Sequence, residues 1–345
     1  MLESLDSHVE RLLAPGVIDM HFDLLLDLYD QRERAGVLAS DFLPDMRRGG
    51  MGVIAAAIYL EDKYLPEMGL RVALDQVARL YEEVDGTPDC AICRSYDEIT
   101  AARQVGKIAF LITMEGAEPL GVDLNLLRVF YELGLRALGL THARRNLAGD
   151  GGVFAALGSS PAGISAFGKR LIQECDRLGI IVDLAHLNPA GVDDVLSLVK
   201  RPPILSHTNP RRFYDMERNS SDAQIREVGR RGGVIGVNAV LLSPIPGRAT
   251  LDHYVDHIEA VADIAGIDAV ACGFDFVEFL FRRWSAAEQA AMTALTTAVN
   301  FPPDLSNHSH ARNLVRRLIE RGFSDDEITK IMHLNWMRVF RQWLD

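Results

Sequence analysis

The sequence predicts a (β/α)₈ barrel, an α/β fold in which eight parallel strands form a cylinder inside a ring of helices. Two observations support this fold class: eight short apolar runs follow one another along the 345 residues, and amphipathic helical patterns separate most of them. A third observation concerns the ends of these runs, several of which finish on histidine or a carboxylate. Alternating strands and helices are typical of parallel sheets, and barrels carry their chemistry at the C-terminal strand ends.

The apolar runs have the length and aliphatic character of strands that are buried on both faces. They are Val17–Asp23, Val53–Leu60, Ile108–Glu115, Leu135–Thr141, Ile180–His186, Pro203–His207, Gly233–Val240 and Ala269–Phe276. Eight such strands favour closure into a barrel over an open sheet, because no glycine-rich nucleotide-binding turn follows the first run.

Helical periodicity between and after these runs predicts the outer layer of the barrel. The predicted helices are Leu70–Val84, Leu124–Leu133, Ile164–Leu178, Val192–Val199, Ala223–Arg231, His253–Ala265, Ala311–Arg321, Asp325–Met332 and Trp336–Trp343. Asn188-Pro189 and Ser324 are typical helix-start signals. The long segment Val277–Asn307 follows the last strand, where such segments often cover a site. We expect one domain over residues 1–345, with helices 311–345 packed on the barrel.

Composition excludes several classes of partner. The chain has a formal net charge of −12, and its Lys and Arg residues are scattered, which argues against binding to nucleic acid or to an anionic membrane surface. No apolar run approaches the length needed to cross a bilayer. The stretch Met1–Ala14 is polar and acidic, unlike a signal peptide. These observations predict a soluble, cytoplasmic protein.

Five metal-type side chains lie at the ends of four predicted strands: His21, Asp23, Glu115, His186 and His207. The first two are two positions apart on a strand, so they point to the same face. A buried carboxylate at Glu115 would be costly unless it were paired or ligated, and its two oxygens can bridge two ions. Each residue alone could be a structural polar group, but three His and two carboxylates at one mouth predict a binuclear metal site, with zinc as the natural ion.

Four more polar residues are expected at the same mouth. His142 and Asp275 each close an apolar run but exceed a comfortable ligand count, so we assign them to substrate binding and proton transfer. The alternative is that they only support the ligands. Arg218-Asn219 lies in the loop after the sixth run, where a guanidinium can bind a carboxylate with two hydrogen bonds. Otherwise Arg218 belongs to a surface ion pair.

At these positions the chain resembles the membrane (renal) dipeptidases, zinc peptidases of the metal-dependent hydrolase barrel superfamily. The resemblance covers most of the chain, from about His21 to Asp275. It depends on the ordered set His21-Phe22-Asp23-Leu24, Glu115-Gly116, Leu140-Thr141-His142, His186, Ser206-His207 and Arg218-Asn219-x-x-Asp222.

The resemblance implies two Zn²⁺ ions per chain, bridged by Glu115 and a water or hydroxide. His21 and Asp23 would complete one ion site, and His186 and His207 the other. The implied activity is hydrolysis of dipeptides; the family precedent for a D-residue at the C-terminal position leaves tolerance of such a residue open in this chain.

The resemblance also assigns roles around the reacting bond. His142 would hold the substrate carbonyl and its developing negative charge, and Arg218 would bind the C-terminal carboxylate with Asn219 beside it. Asp275 would move the proton, so that the catalytic residues are Asp275, His142 and Glu115. The expected partner is a small dipeptide; assembly as a homodimer is left open.

Two departures from the family pattern concern the rim of the site. The family commonly reads G-x-D-[FY]-D-G around the last acidic residue, whereas here Phe276 is followed by Val277-Glu278. Ala239-Val240 stands where aromatic residues are common. Two other functions remain open: a related metal hydrolase acting on N-acyl amino acids, lactones or deaminase substrates, and a non-catalytic zinc-binding protein. An intact Asp275 and His142 argue against the second, since a structural zinc site needs neither.

Overall fold

A computed structural model describes residues 3–153, 162–245, 247–287, 289–290 and 301–345. Within these residues the strands form one sheet, with bounds β1 Val17–Phe22, β2 Met51–Tyr59, β3 Cys90–Ile92, β4 Ile108–Glu115, β5 Leu135–Gly139, β6 Ile181–Asp183, β7 Ile204–Thr208, β8 Val234–Val237 and β9 Val270–Cys272. All eight predicted strands are present. The short β3 was not predicted; it pairs only with β4.

The sheet runs in the order β1-β2-β4-β5-β6-β7-β8-β9, and every neighbouring pair is parallel. Its two ends meet where the backbone N–H of Asp275 donates to the carbonyl oxygen of His21 (3.2 Å). The strands therefore form a nearly closed barrel, which confirms the predicted fold class.

Helices surround the barrel in the described part of the chain. Their bounds are α1 Leu5–Leu13, α2 Leu24–Asp30, α3 Leu43–Arg48, α4 Gly69–Asp85, α5 Tyr96–Gln104, α6 Leu124–Glu132, α7 Ala166–Leu178, α8 Pro189–Leu198, α9 Asp222–Arg230, α10 Leu251–Ala265, α11 Glu278–Arg283, α12 Ala311–Glu320, α13 Asp325–Thr329 and α14 Asn335–Trp343. The nine predicted helices are confirmed within a few residues, except that α13 ends early and continues as a π-helical turn, Lys330–Leu334.

Side-chain caps explain where two of these helices begin. The Asn188 side chain accepts a hydrogen bond from the N–H of Gly191, and Ser324 forms a capping box with Glu327. Helices α1, α2, α3, α5 and α11 were not predicted. The last of these lies in the rim segment 277–307, of which residues 288 and 291–300 are outside the described residues.

The last helix is attached to the barrel wall through β9. Trp336 donates from Nε1 to the carbonyl oxygen of Cys272 (2.8 Å), and the Asn335 amide donates to that of Val270 (2.8 Å). Both side chains are buried. Among the residues that the structure describes, none of the helices has the length and apolar character required to cross a lipid bilayer.

Candidate metal centre and active site

The five residues predicted as metal ligands come together at the C-terminal mouth of the barrel. His21 lies in β1, Asp23 follows it directly, Glu115 ends β4 and His207 lies in β7. His186 follows β6 by three residues. All five side chains are buried or nearly so. Parallel strands deliver their carboxyl ends to one rim, which is why residues far apart in sequence meet here.

Glu115 lies at the middle of this cluster. Its Oε1 is 2.9 Å from His186 Nε2, 3.3 Å from His207 Nε2 and 3.7 Å from His21 Nε2. The two Nε2 atoms of His186 and His207 are 3.0 Å apart, and the rings of His21 and His207 are stacked with their centroids 3.6 Å apart. On the other side, His21 Nε2 is 3.6 Å from Asp23 Oδ1.

The donor atoms of this cluster fit divalent cations. His21 Nε2 and Asp23 Oδ1 are buried and have no hydrogen-bond partner among the described residues. Buried polar atoms are normally paired, so these two indicate a missing ligand. Three overlapping groups have their ligand atoms within 4.8 Å of one another: His21, Asp23 and Glu115; Glu115, His142 and His186; His21, His207 and Asp275. Imidazole and carboxylate are the ligands that zinc prefers.

The charges in the centre favour exchange of protons for metal ions. Burial raises the pKa of Glu115 to about 8. Burial lowers the pKa of His21, but the carboxylates of Glu115 and Asp23 outweigh this effect and raise it to about 10. Burial lowers the pKa of His186 and His207 well below the usual value, so both rings are neutral and able to ligate. Without metal, the cluster holds protons where cations would bind.

Two of the polar residues reach the mouth through backbone conformations that non-glycine residues rarely adopt. His186 has φ 62° and Asp275 has φ 58°, and Leu241 is the other non-glycine residue with positive φ in the described chain. The apolar pattern predicted strands as far as His186 and Phe276, but β6 ends at Asp183 and β9 at Cys272. The chain therefore leaves the sheet before these two residues, and the side chains of His186 and Asp275 extend into the mouth from turns. Such conformations concentrate at functional sites.

Asp275 lies beside the His21 side of the cluster. The Asn238 amide donates to its Oδ2 (2.9 Å), and its Oδ1 is 3.9 Å from His21 Nε2. Burial raises the pKa of Asp275 to about 6, although His21 opposes this shift. A carboxylate with a pKa near neutrality is well matched to proton transfer at neutral pH.

His142 lies on the other side of Glu115, in the loop after β5. Its ring centroid is 4.4 Å from that of His186 and 4.8 Å from that of Tyr59, the last residue of β2. Burial lowers the pKa of His142 well below its ordinary value, so the ring is neutral. Tyr59 was not singled out from sequence, because an aromatic residue at a strand end is common.

Arg218 brings a buried cation to the same mouth. Its Nη2 donates to the carbonyl oxygen of His207 (2.7 Å), whereas its Nη1 has no hydrogen-bond partner among the described residues. Burial lowers its pKa, and the nearby carboxylates of Asp275 and Glu115 oppose this effect. Asn219 beside it donates from its amide to the carbonyl oxygen of Tyr214 (2.8 Å) and so holds the loop. Contact of Asn219 with the substrate stays a prediction.

Three residues around the centre were missed at the level of sequence: Asp19, Asp183 and His308. The two carboxylates accept hydrogen bonds from backbone N–H groups beside the ligands, and His308 contacts Asp19. The available signal was a carboxylate inside an otherwise apolar run, two or three residues before a histidine.

Comparisons with known proteins agree with this geometry. Residues 9–292 match a family model described as membrane dipeptidase (peptidase family M19). The chain is 30% identical over 323 residues to an uncharacterized dipeptidase of Schizosaccharomyces pombe, which covers 89% of this chain and 73% of that protein.

Solved structures show the same architecture. The chain is similar to dipeptidase AC, a metallopeptidase of family M19, with a TM-score of 0.82, 26% identity and coverage of 96% of this chain and 99% of that one. It is also similar to a metallopeptidase from Rhodobacter sphaeroides that was crystallised with a phosphinate mimic of the dipeptide L-Ala-D-Ala. There the TM-score is 0.81 and the identity 25%, with 95% of this chain and 99% of that one covered.

Proposed function

Because the chain belongs to the membrane dipeptidase family, peptidase family M19, and is a metal-dependent hydrolase of dipeptides, we propose that it works with two zinc ions. His21 and Asp23 would hold one ion and His186 and His207 the other, with Glu115 between them. The short distances from Glu115 Oε1 to the histidine nitrogens support this arrangement. Bound zinc would polarise the peptide carbonyl and lower the pKa of the attacking water.

Asp275 would accept the proton of that water and pass it to the leaving amine. The Asn238 amide holds one carboxylate oxygen of Asp275, which leaves the other to face the centre. A general base must lie within reach of the water it deprotonates, and the position of Asp275 beside His21 meets this requirement. The proton would therefore move from one side of the scissile bond to the other through a single side chain.

His142 would donate a hydrogen bond to the carbonyl oxygen as negative charge develops there. Its lowered pKa keeps the ring neutral, so one nitrogen carries a proton to donate. The ring is fixed between Tyr59 and His186 before substrate arrives. Donors held in place in this way stabilise a developing oxyanion without reorganisation.

The observation that carries the proposed substrate class is the unpartnered Nη1 of Arg218. A buried guanidinium nitrogen without an acceptor is costly, and a substrate carboxylate would satisfy it with a charge-assisted hydrogen bond. Because Arg218 is bonded to the backbone of His207, the carboxylate would lie close to the scissile bond. The C-terminal carboxylate of a dipeptide has this spacing from its peptide bond.

We further propose that the enzyme accepts a D-residue at the C-terminal position. The similar protein from Rhodobacter sphaeroides binds a mimic of L-Ala-D-Ala, which supports this choice of substrate. The departures at Ala239-Val240 and Val277-Glu278 follow the C-terminal ends of β8 and β9, close in sequence to Asn238 and Asp275, so side-chain preference would differ there from related enzymes.

A panel of L-L and L-D dipeptides tests this proposal on protein loaded with zinc and on protein stripped of metal. We expect turnover of free dipeptides only with metal, about two zinc ions per chain by elemental analysis, and poor turnover of C-terminally amidated dipeptides. N-acetyl amino acids serve as the comparison for the alternative hydrolase class. Zinc content of one ion or none in carefully loaded protein would overturn the two-ion centre.

A further inference from the structure

We propose that two buried carboxylates, Asp19 and Asp183, are positioning residues that hold the two halves of the metal centre independently of each other. The inference rests on the two-ion centre proposed above. Neither residue is a predicted ligand, yet each accepts hydrogen bonds from two backbone N–H groups that lie beside catalytic or metal-binding residues.

Asp19 joins the two strands at the seam of the barrel. Its Oδ1 accepts from the N–H of His21 (3.3 Å) and from that of Phe274 (2.8 Å), the residue before Asp275. Strands β1 and β9 are the two ends of the paired path, so they have no ladder between them to set their register. One carboxylate oxygen therefore fixes a ligand and the proposed proton shuttle relative to each other.

His308 holds the other oxygen of Asp19. Its Nε2 is 2.8 Å from Asp19 Oδ2, although the two residues are 289 positions apart. The His308 ring packs edge-on against Phe22 and Phe276, with centroid distances of 4.5 and 5.1 Å, and is almost completely buried. This packing leaves the imidazole little freedom, so the orientation of the Asp19 carboxylate is set from the C-terminal part of the chain.

Asp183 does the same for the second half of the centre. Its Oδ1 accepts from the N–H of Ala185 (3.0 Å) and from that of Ser206 (2.9 Å), which directly precede His186 and His207. Strands β6 and β7 share a single register pair, so little ladder pairing holds these two ligands together.

The His207 ring is fixed from its other side as well. Ser206 Oγ lies 2.7 Å from His207 Nδ1, which leaves Nε2 to face Glu115. Groups that orient metal-binding histidines in this way typically contribute 10- to 100-fold to metal affinity or activity. Within the part of the chain that the structure describes, Asp19 and Asp183 share no hydrogen-bond partner, so their effects should be separable.

Stepwise titration of the metal-free enzyme with Co²⁺, followed by its visible spectrum, tests this separation. Wild type should bind two ions, and the variants Asp23→Ala and His207→Ala identify which binding step belongs to which half. Asp183→Ala should weaken the His186–His207 step by about 10- to 100-fold and leave the other step unchanged. Asp19→Ala should weaken only the His21–Asp23 step.

Kinetics provide a second readout for Asp19. Asp19 also accepts from the N–H of Phe274, the residue before the proposed proton shuttle Asp275. Asp19→Ala should therefore lower kcat at saturating metal while KM changes much less. Asp183→Ala at saturating metal should not separate kcat from KM in this way. Asp19→Asn and Asp183→Asn should recover most of both properties, since an amide oxygen can still accept two N–H bonds.

A matched control separates positioning from general loss of stability. Asn335 is also buried and also bonds to backbone, but at the opposite end of β9, through the carbonyl oxygen of Val270. Asn335→Leu should lower the melting temperature while both Co²⁺ steps stay at wild-type affinity. If Asp183→Ala does not fold, Asp183→Ser replaces it. If Asp19→Ala does not fold, a comparison of His308→Leu with His308→Gln replaces it, because His308 holds the Asp19 carboxylate.

The possible failures are distinguishable. A single Co²⁺ step in wild type would overturn the two-ion centre itself. Two steps in wild type that remain unchanged in the Asp19 and Asp183 variants, or that weaken together in both, would overturn the inference alone.

Discussion

The first half of the barrel (β1 to β5) and the second half (β6 to β9) position their side chains at the mouth in different ways. In the first half, β2 and β4 pair over seven consecutive positions, from Val53 opposite Ala109 to Tyr59 opposite Glu115. In the second half, β6 and β7 share one register pair. A long ladder fixes side-chain direction through the pleat, so a predicted ligand such as Glu115 can lie on the strand itself.

In the second half, His207 lies on β7, but β6 and β9 end before His186 and Asp275, so the pleat does not direct these two side chains. His186 and Asp275 follow the ends of β6 and β9 in turns with positive φ. Side-chain acceptors replace the missing ladder: the carboxylate of Asp183 binds two N–H groups, and Asn238 accepts from the N–H of Val240 (2.6 Å) while it holds Asp275. In the first half the strand ladder orients the side chains, and in the second half hydrogen bonds from side chains to backbone N–H groups orient them.

Glu115→Ala gives the largest expected effect, because Glu115 lies between the two proposed ion sites. We expect loss of both metal ions and a fall in dipeptide turnover of at least ~10⁴-fold, since the ions supply the activated water and the polarised carbonyl. Elemental analysis and steady-state kinetics measure both. Circular dichroism serves as the control for folding. Retention of one ion would show that Glu115 contributes to one of the two ion sites only.

Asp275→Asn tests the proposed proton transfer by a residue of the second half without changing the backbone of its turn. Asparagine tolerates positive φ better than most residues, so the turn at φ 58° should persist. The amide cannot accept a proton, and kcat should fall by roughly 10²–10⁴ with metal content intact. Kinetics and elemental analysis on the same sample measure both quantities. A near-normal kcat would make Asp275 a supporting residue, and loss of metal would make it a ligand.

The contrast between the halves also explains which features could be predicted from sequence. Apolar runs located all eight strands of the nearly closed barrel path. The predicted ligands His21 and Glu115 lie on strands because pleat and periodicity coincide there, whereas Asp23 directly follows β1. In the second half the apolar pattern continued past the real strand ends, since the turn residues are buried as well: Ala185 and Phe276 look like strand positions. Periodicity reports burial and does not show where a ladder stops.

Asp19, Asp183 and His308 could not be assigned for a different reason. One N–H partner of each carboxylate lies two residues away, but the other partners are backbone groups in distant segments or a side chain 289 residues away, so local spacing alone does not reveal these roles. A histidine near a metal centre is readily taken for a ligand, but the contact of His308 is with a carboxylate that holds backbone. Only the folded arrangement distinguishes these roles.

Arg218→Ala is expected to have a smaller effect, confined to substrate binding. Loss of a charge-assisted pair should raise KM for free dipeptides by about 10- to 100-fold. Amidated dipeptides should be affected much less, because they lack the carboxylate. Arg212→Ala is the matched control: Arg212 lies in the same loop but pairs with Asp222 at the surface. Equal sensitivity of free and amidated substrates would remove this role from Arg218.

The smallest expected effect is a difference in pH dependence between metal-free and metal-loaded protein. Burial raises the pKa of Glu115 from 4.5 to about 8. Between these values the folded metal-free protein keeps a proton on Glu115 that the unfolded chain has lost, so the contribution of this group to the free energy of unfolding falls as pH rises. The lowered pKa values of His142, His186 and His207 act in the opposite direction, as the pH rises through the ordinary value of 6.5. The raised pKa of His21, about 10 against 6.5 when unfolded, acts in the same direction as that of Glu115 at higher pH.

Metal binding should reverse this trend, because ions replace those protons and bind more tightly as pH rises. The difference in melting temperature between loaded and metal-free protein should therefore increase from pH 6 to pH 8, by an amount on the order of a few °C. Metal-free Glu115→Gln should show a shallower decline than metal-free wild type, since its amide does not titrate. Calorimetry at matched ionic strength measures all three proteins. If metal-free wild type and metal-free Glu115→Gln instead show equal slopes across this range, the buried proton does not reside on Glu115.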